Sequence, residues 1–288
     1  MTVTATPAGG TDLSATASSK ADRARLLDEV AALVRAAHVE IMRVYARPVE
    51  AQFKEDRSPL TEADLASHRV LTAGLARLAP PLPIISEEGG LPDVSERSSW
   101  GAYWLIDPLD GTKEFLAKNG EFTVNVALVE RNRPTLGVVG VPARDQVFVG
   151  DVVRGVAQRL DASGAHDLRA RPYAGARPTV VASRRHGGEA LEGALRALEQ
   201  SEGAPDLRNV GSALKLCLLA EGEADIYPRL APTSEWDTAA AQAVLEAAGG
   251  AVLQLHGAPV TYNKPDILNP EFVAVADPRH DWLRYFRT

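Results

Sequence analysis

The segment WLIDPLDGTKEF, Trp104 to Phe115, runs an apolar stretch straight into two aspartates, Asp107 and Asp110. Two carboxylates held this close repel each other unless a proton or a cation stands between them. Pro108 and Gly111 predict a turn that brings Asp110 back beside Asp107. The same D-P-x-D-G pattern is also ordinary turn chemistry, so the segment alone leaves a site and a bare turn equally open. Read as a site, Gly111 and Thr112 open a short helical stretch, TKEFLAKN, whose free backbone N–H groups suit a phosphate.

Other acids sit at the ends of elements. Glu87 and Glu88 close the short strand PIIS in the same strand-then-acid pattern, or belong to an acidic loop before Gly89 and Gly90. Asp237 stands in the first turn of EWDTAAAQAVLEAAGG, where an aspartate caps free N–H groups and complements the helix dipole. Asp64, in TEADL, pairs with Thr61 as a variant capping box. Singly, each reads as a cap or a loop. Together they form an oxygen-only set, which suits a hard cation such as Mg²⁺. The six histidines are scattered without metal-ligand spacing. The single cysteine, Cys217, lies among apolar helix formers and reads as a buried, inert thiol.

These residues need elements to hold them. Apolar residues from Ala21 to Arg47 recur at helical spacing and stop before Pro48. A second helix runs from Thr61 to Leu78. The period then changes, and PIIS, AYWLID, FTVNVALVE, TLGVVGVPA and QVFVGDV read as consecutive strands. RLDASGAHDLRARPYAGARP reads as a loop or a hairpin. Beyond it strands (TVVAS, LRNVG, ADIYPR, FVAVA) alternate with helices, which favours layered α/β packing. Residues 1–20 read as a disordered tail, 21–160 as an α+β lobe carrying most of the acids, and 161–288 as an α/β lobe.

The net charge of −7 argues against a nucleic-acid polymer as partner. No apolar run is long enough for membrane insertion, and the N-terminus lacks the pattern of a secretory signal. A cytoplasmic location is expected.

The motifs resemble those of the lithium-sensitive, Mg²⁺-dependent phosphatases of the inositol monophosphatase superfamily. DPLDGTKEF resembles its first signature, EWDTAAAQAVLEAAGG its second, SEEG its metal-binding glutamate segment, and SPLTEADL the segment that partners the catalytic threonine. They stand in family order from about Asp22 to the C-terminus. D-G-T-K-E-F in place of D-G-T-x-N-F, with NGEFTVNVALVE and GSALKLCLLAEGEADIYPR, is similar to the 3′(2′),5′-bisphosphate nucleotidase branch. One departure is Ala241, where the family carries glycine.

The resemblance implies an α+β fold layered α-β-α-β-α, of the inositol monophosphatase and fructose bisphosphatase type. It implies two or three Mg²⁺ ions held by Glu87, Asp107, Asp110, Asp237 and the backbone carbonyl of Leu109. Gly111 and Thr112 would cradle the scissile phosphate. Asp64 and Thr112 would be catalytic with Glu87, orienting and deprotonating the attacking water. Ser212, Lys215 and Arg229 are the candidates for holding the rest of the substrate, against solvated charge as the plain reading of the two cations. The implied partner is a small phosphorylated molecule, adenosine 3′,5′-bisphosphate on the branch resemblance, and a homodimer is compatible. An inositol or sugar monophosphatase, and a catalytically silent binding protein on the same fold, are the alternatives.

Overall fold

The computed structural model describes residues 19–48, 52–53, 59–78, 80–175, 177–182 and 188–286. Of the expected tail, residues 1–18 lie outside these. Helix α1 (Lys20–Tyr45) begins at a capping box between Ser19 and Asp22. The short strands β1 (Gln52–Phe53) and β2 (Pro59–Leu60) pair antiparallel ahead of α2 (Glu62–Leu75). Next come β3 (Ile84–Ser86), α3 (Val94–Arg97), β4 (Ala102–Asp110), α4 (Thr112–Leu116) and β5 (Thr123–Glu130). Strands β6 (Arg133–Val141), β7 (Gln146–Asp151), β8 (Val156–Asp161) and β9 (Gly164–Asp167) follow. Strands β3 to β9 form one seven-stranded sheet in chain order, antiparallel throughout except for β3 beside β4.

The rest of the chain alternates as expected: β10 (Thr179–Ala182), α5 (Glu189–Glu202), β11 (Asp206–Asn209), α6 (Leu214–Ala220), β12 (Ile226–Arg229) and α7 (Glu235–Ala247). It closes with β13 (Ala251–Gln254) and β14 (Phe272–Val275). Its five-stranded sheet has the order β11-β10-β12-β14-β13.

The strand period of two sorts the apolar residues into separate cores. On β4, Trp104 and Ile106 pack with Val30, Val34 and Ile41 of α1 and Leu71 of α2. Their alternates Tyr103 and Leu105 face the other way, into a core with α6 and α7. That central core also takes Tyr227, Phe272 and Ala274 from the five-stranded sheet. The opposite face of the second sheet, Val180, Ile226, Val273 and Val275, is covered by Leu198 of α5. The layers are therefore helix, sheet, helix, sheet, helix, as the family resemblance implied.

Helix α7 comes very close to the large sheet. A Cβ on Gly137 would stand 2.1 Å from the carbonyl oxygen of Ala240, and one on Gly150 would stand 2.5 Å from Val244 Cα. Alanine-rich α7 and these strand glycines are thus one packing solution. On the far side α1 is fastened by Arg23, which donates to Asp151 at 3.0 Å and to Glu130 at 3.0 Å. The segment read as a loop or hairpin, 159–178, contains the end of β8, the turn and β9, and this hairpin extends the large sheet. Cys217 is buried, and burial pushes its thiol well up, as an inert core cysteine requires.

Candidate active site

Strand β4 pairs with β5 at Asp107–Asn125 and again at Asp110–Thr123. Three steps on one strand answer two on the other, which is a β-bulge. In an unbroken strand two residues three apart face opposite sides; the bulge brings Asp107 and Asp110 to one side. The sharp turn expected at Pro108 is thus a bulge inside a continuing strand, where a missing N–H is tolerated. The reversal follows at Gly111, whose φ of +88° is left-handed backbone that favours glycine. Ser67 of α2 donates to the Pro108 carbonyl at 2.7 Å and steadies the bulge.

Glu87 reaches the same place by sheet register. Ser86 of β3 lies beside Ile106 of β4, and the Glu87 N–H donates to the Ile106 carbonyl at 3.2 Å. Glu87 therefore comes to Asp107, and their side chains share a hydrogen bond. Asp107 is buried, and the Leu109 N–H donates to its carboxylate at 3.0 Å. Burial holds the Asp107 carboxyl well above the usual carboxylate range, and the charges of Glu87, Asp110 and Asp237 push it further. Asp237 comes from the first turn of α7, where it closes a capping box by accepting from the Ser234 N–H at 2.9 Å. Burial and then the Asp110 charge push it up to about 8. Asp110 is pushed up to about 6 by burial, against the opposing pull of Lys215 and of the Ala213 N–H, which donates to it at 2.7 Å. The capping role foreseen for Asp237 and its place among the carboxylates are both real.

Asp64 has the same double character. It caps α2, accepting from the Thr61 N–H at 2.8 Å and from the Thr61 hydroxyl. Its other oxygen accepts from Thr112 Oγ1 at 3.3 Å. Burial pushes the Asp64 carboxyl up to about 6, opposed by the Thr61 hydrogen bonds. Thr112 Oγ1 also lies 3.4 Å from the Leu109 carbonyl, so Leu109 is drawn into the same group.

A cavity of about 300 Å³ opens beside these residues, lined by Asp110, Gly111 and Asp237 together with Ser212, Lys215 and Arg229. Lys215 is buried rather than solvated; its ammonium is lowered to about 8 by burial and donates to the Ser212 carbonyl at 2.6 Å. Arg229 is half-buried and fixed by the carbonyls of Ala231 and Pro232, each at 2.9 Å. Ser212 has a left-handed φ of +50°, and its buried Oγ has no hydrogen-bond partner among the described residues. Ala241 is fully buried in the central core and does not line the cavity, so the alanine leaves the substrate space untouched. Sequence reading passed over Ser67 and Thr123, which fix the bulge from two sides, and Glu114, which lines the cavity.

Among the described residues no three His, Cys, Asp or Glu side chains stand in finished metal-ligand geometry. The donor set nevertheless fits a hard cation. Asp107 is buried with the charges of Glu87, Asp110 and Asp237 pressing on it, the side-chain donors are all oxygen, and such a cluster favours a proton or a cation between its carboxylates.

Residues 22–281 match the model of the inositol monophosphatase family. The chain belongs to that family. It is 43% identical over 253 residues to the 3′(2′),5′-bisphosphate nucleotidase CysQ of Escherichia coli O157:H7, covering 86% of this chain and 98% of the relative. The crystal structure of CysQ from Bacteroides thetaiotaomicron, described as a bacterial member of the inositol monophosphatase family, superposes with a TM-score of 0.77 at 35% identity. That likeness covers 87% of this chain and 97% of the CysQ chain. Thermotoga maritima IMPase, at 23% identity, shares the fold with a TM-score of 0.71 over 91% of this chain and 96% of its own. Inositol monophosphatase family proteins are metal-dependent phosphatases, and the oxygen-only cluster meets that requirement. Among the described residues no helix is long and apolar enough to cross a membrane.

Proposed function

We propose that this protein is a Mg²⁺-dependent 3′(2′),5′-bisphosphate nucleotidase that removes the 3′-phosphate of adenosine 3′,5′-bisphosphate. The observation that carries the reading is the cavity. It places two cationic side chains, Lys215 and Arg229, in the same space as Asp110, Gly111 and Asp237. A substrate with a second phosphate away from the reacting one uses both halves of such a space. The nucleotidase relative at 43% identity supports the same substrate.

Glu87, Asp107, Asp110, Asp237 and the Leu109 carbonyl would hold two or three Mg²⁺ ions. When bound, these supply positive charge against the phosphate and acidity to a water molecule. Gly111 and Thr112 receive the scissile phosphate at the start of α4. Thr112 Oγ1 accepts a hydrogen bond from the attacking water while donating its own hydrogen to Asp64. Asp64, raised to about 6, is a better proton acceptor near neutral pH than an ordinary aspartate. Lys215, Arg229 and Ser212 hold the 5′-phosphate side. The partner is a small molecule, and the compartment the cytoplasm.

The test is turnover of adenosine 3′,5′-bisphosphate and of inositol 1-phosphate, each with Mg²⁺ and with a chelator. We expect kcat/KM for the bisphosphate to exceed that for inositol 1-phosphate by at least about tenfold, or ~1.4 kcal/mol. Equal or better turnover of inositol 1-phosphate moves the protein to the inositol monophosphatase reading. No turnover of either makes it a silent binding protein.

A further inference from the structure

The turn Gly211–Ser212–Ala213 joins β11 to α6 and belongs to the five-stranded side of the molecule. It is tied to the other side by two carboxylates. The Ala213 N–H donates to Asp110 at 2.7 Å, and the Gly211 N–H donates to Glu121 at 2.9 Å. Glu121 lies between α4 and β5, so both tethers cross from the seven-stranded side. Between the two tethered N–H groups sits Ser212, in left-handed backbone, with its Oγ buried and unpartnered among the described residues. A non-glycine residue holds that backbone only where its surroundings over-determine it.

The fit around Gly211 is equally tight. A Cβ there would stand 2.7 Å from Glu114 Cγ and 2.9 Å from the Glu121 carbonyl oxygen. The same Glu121 carbonyl lies 3.2 Å from where a Cβ on Gly111 would be. Glu121 is thus wedged between the phosphate cradle at Gly111 and the Ser212 turn, touching each through a glycine. Asp110 has a second task among the carboxylates; Glu121 has no part in the ligand set.

We propose that Glu121 is a specificity-determining positioning residue, whose carboxylate latches the Gly211–Ala213 turn to the phosphate cradle and so sets Ser212 and Lys215 at the distance that suits a nucleotide carrying two phosphates. Lys215 follows the turn because its Nζ donates to the Ser212 carbonyl at 2.6 Å. A charge-assisted hydrogen bond to a backbone N–H is strong enough to hold such a turn. The inference rests on the nucleotidase reading above.

Glu121→Ala removes the acceptor, and Glu121→Gln keeps an oxygen at the same reach. Both are compared with wild type on adenosine 3′,5′-bisphosphate and inositol 1-phosphate at saturating Mg²⁺, with AMP binding measured by calorimetry. In Glu121→Ala we expect KM for the bisphosphate to rise about tenfold, against a change of less than about threefold in kcat. We also expect AMP binding to weaken in proportion, and Glu121→Gln to restore most of both. The preference for the bisphosphate over inositol 1-phosphate, as a ratio of kcat/KM, should fall about tenfold. Gly211→Ala approaches the latch from the other side and should reproduce the loss, which keeps the test open if Glu121→Ala folds poorly. A wild type without preference for the bisphosphate overturns the nucleotide reading itself. A wild type with that preference, and variants that keep it or lose kcat on both substrates alike, overturns the latch alone.

Discussion

Thr112 Oγ1 and Asp64 Oδ1 lie 3.3 Å apart although 48 residues separate them in the chain. Thr112 opens α4 and Asp64 sits in the first turn of α2, so two helix starts meet at the rim of the carboxylate cluster. A helix start carries a positive dipole end, and at α2 the Asp64 carboxylate already answers it within the Thr61 capping box. On the proposed reading this hydroxyl of Thr112, bonded to a raised aspartate, orients the attacking water.

Thr112→Ala should therefore lower kcat by about 10²-fold or more while KM changes little, because loss of a proton-handling group acts on the transition state. Thr112→Ser should keep most of the rate. Steady-state kinetics on adenosine 3′,5′-bisphosphate decides it. An unchanged kcat with a much higher KM would make Thr112 a simple phosphate anchor.

Asp110→Asn should abolish Mg²⁺-dependent turnover and leave the fold intact. Burial, with the charges of Glu87, Glu114 and Asp237, outweighs the pull of Lys215 on Asp110, so deleting its charge does not cost the metal-free fold, and the amide oxygen still accepts from the Ala213 N–H. In chelator the variant should melt at or above the temperature of wild type. With Mg²⁺ it should lose the stabilisation that wild type gains. Wild-type response to Mg²⁺ in melting and in turnover would remove Asp110 from the ligand set.

The acids were legible in the sequence because each ends a strand or opens a helix; the change of period marked out helices, then strands, then alternation, while the order of the layers came from the family resemblance. The bulge was not legible. Whether Asp107 and Asp110 share a side depends on how β4 pairs with β5, and register is a property of two strands, not of one. Nor was the Glu121 tether, since its partner Gly211 is 90 residues away and neither residue sits in a periodic pattern. The helical run SALKLCLLAEG left Lys215 open between a substrate contact and a solvated charge; it is buried and lines the cavity, 5.4 Å from the centre of the Tyr227 ring. Helix α3 is four residues long, too short to show a period at all.

Mg²⁺ binding should be coupled to proton release. In the metal-free protein Asp237 is raised to about 8 and Asp110 to about 6, against an ordinary value of 3.8 for both. A raised carboxyl holds its proton in the folded state where the unfolded chain has lost it. Stability from this source is present at low pH and is lost as pH rises through the folded values. In chelator the melting temperature should therefore fall between about pH 6 and 8, and Mg²⁺ should cancel that fall. Calorimetry in buffers of different ionisation heat should show protons leaving on Mg²⁺ binding near pH 7. A melting curve in chelator that is flat across this range would mean that the cluster carries no excess protons.

The opposite pH dependence should come from His38. It is buried on α1 with neither ring nitrogen bonded among the described residues, and its Nε2 lies 2.0 Å from where a Cβ on Gly140 would be. Gly140 of β6 is therefore the recess that admits the ring. Burial, and then the Arg35 charge, lower the imidazole from 6.5 to about 4, with Asp145 opposing. Between those values the unfolded chain takes up a proton that the native protein refuses. Stability from this source is full above about pH 6.5 and falls as pH drops toward 4. His38→Leu removes the refused proton and leaves no unpaired polar atom. Near pH 7.5 the variant should lie within about 1.5 kcal/mol of wild type, as a near-isosteric core change does. Toward pH 4 it should gain on wild type by about 3 kcal/mol, at ~1.4 kcal/mol per pH unit. Contributions from the carboxylate cluster are common to both proteins and cancel in the difference. Urea melts of the pair at several pH values give that difference directly, and parallel curves from pH 7.5 to 4 would show that His38 is not held neutral in the fold.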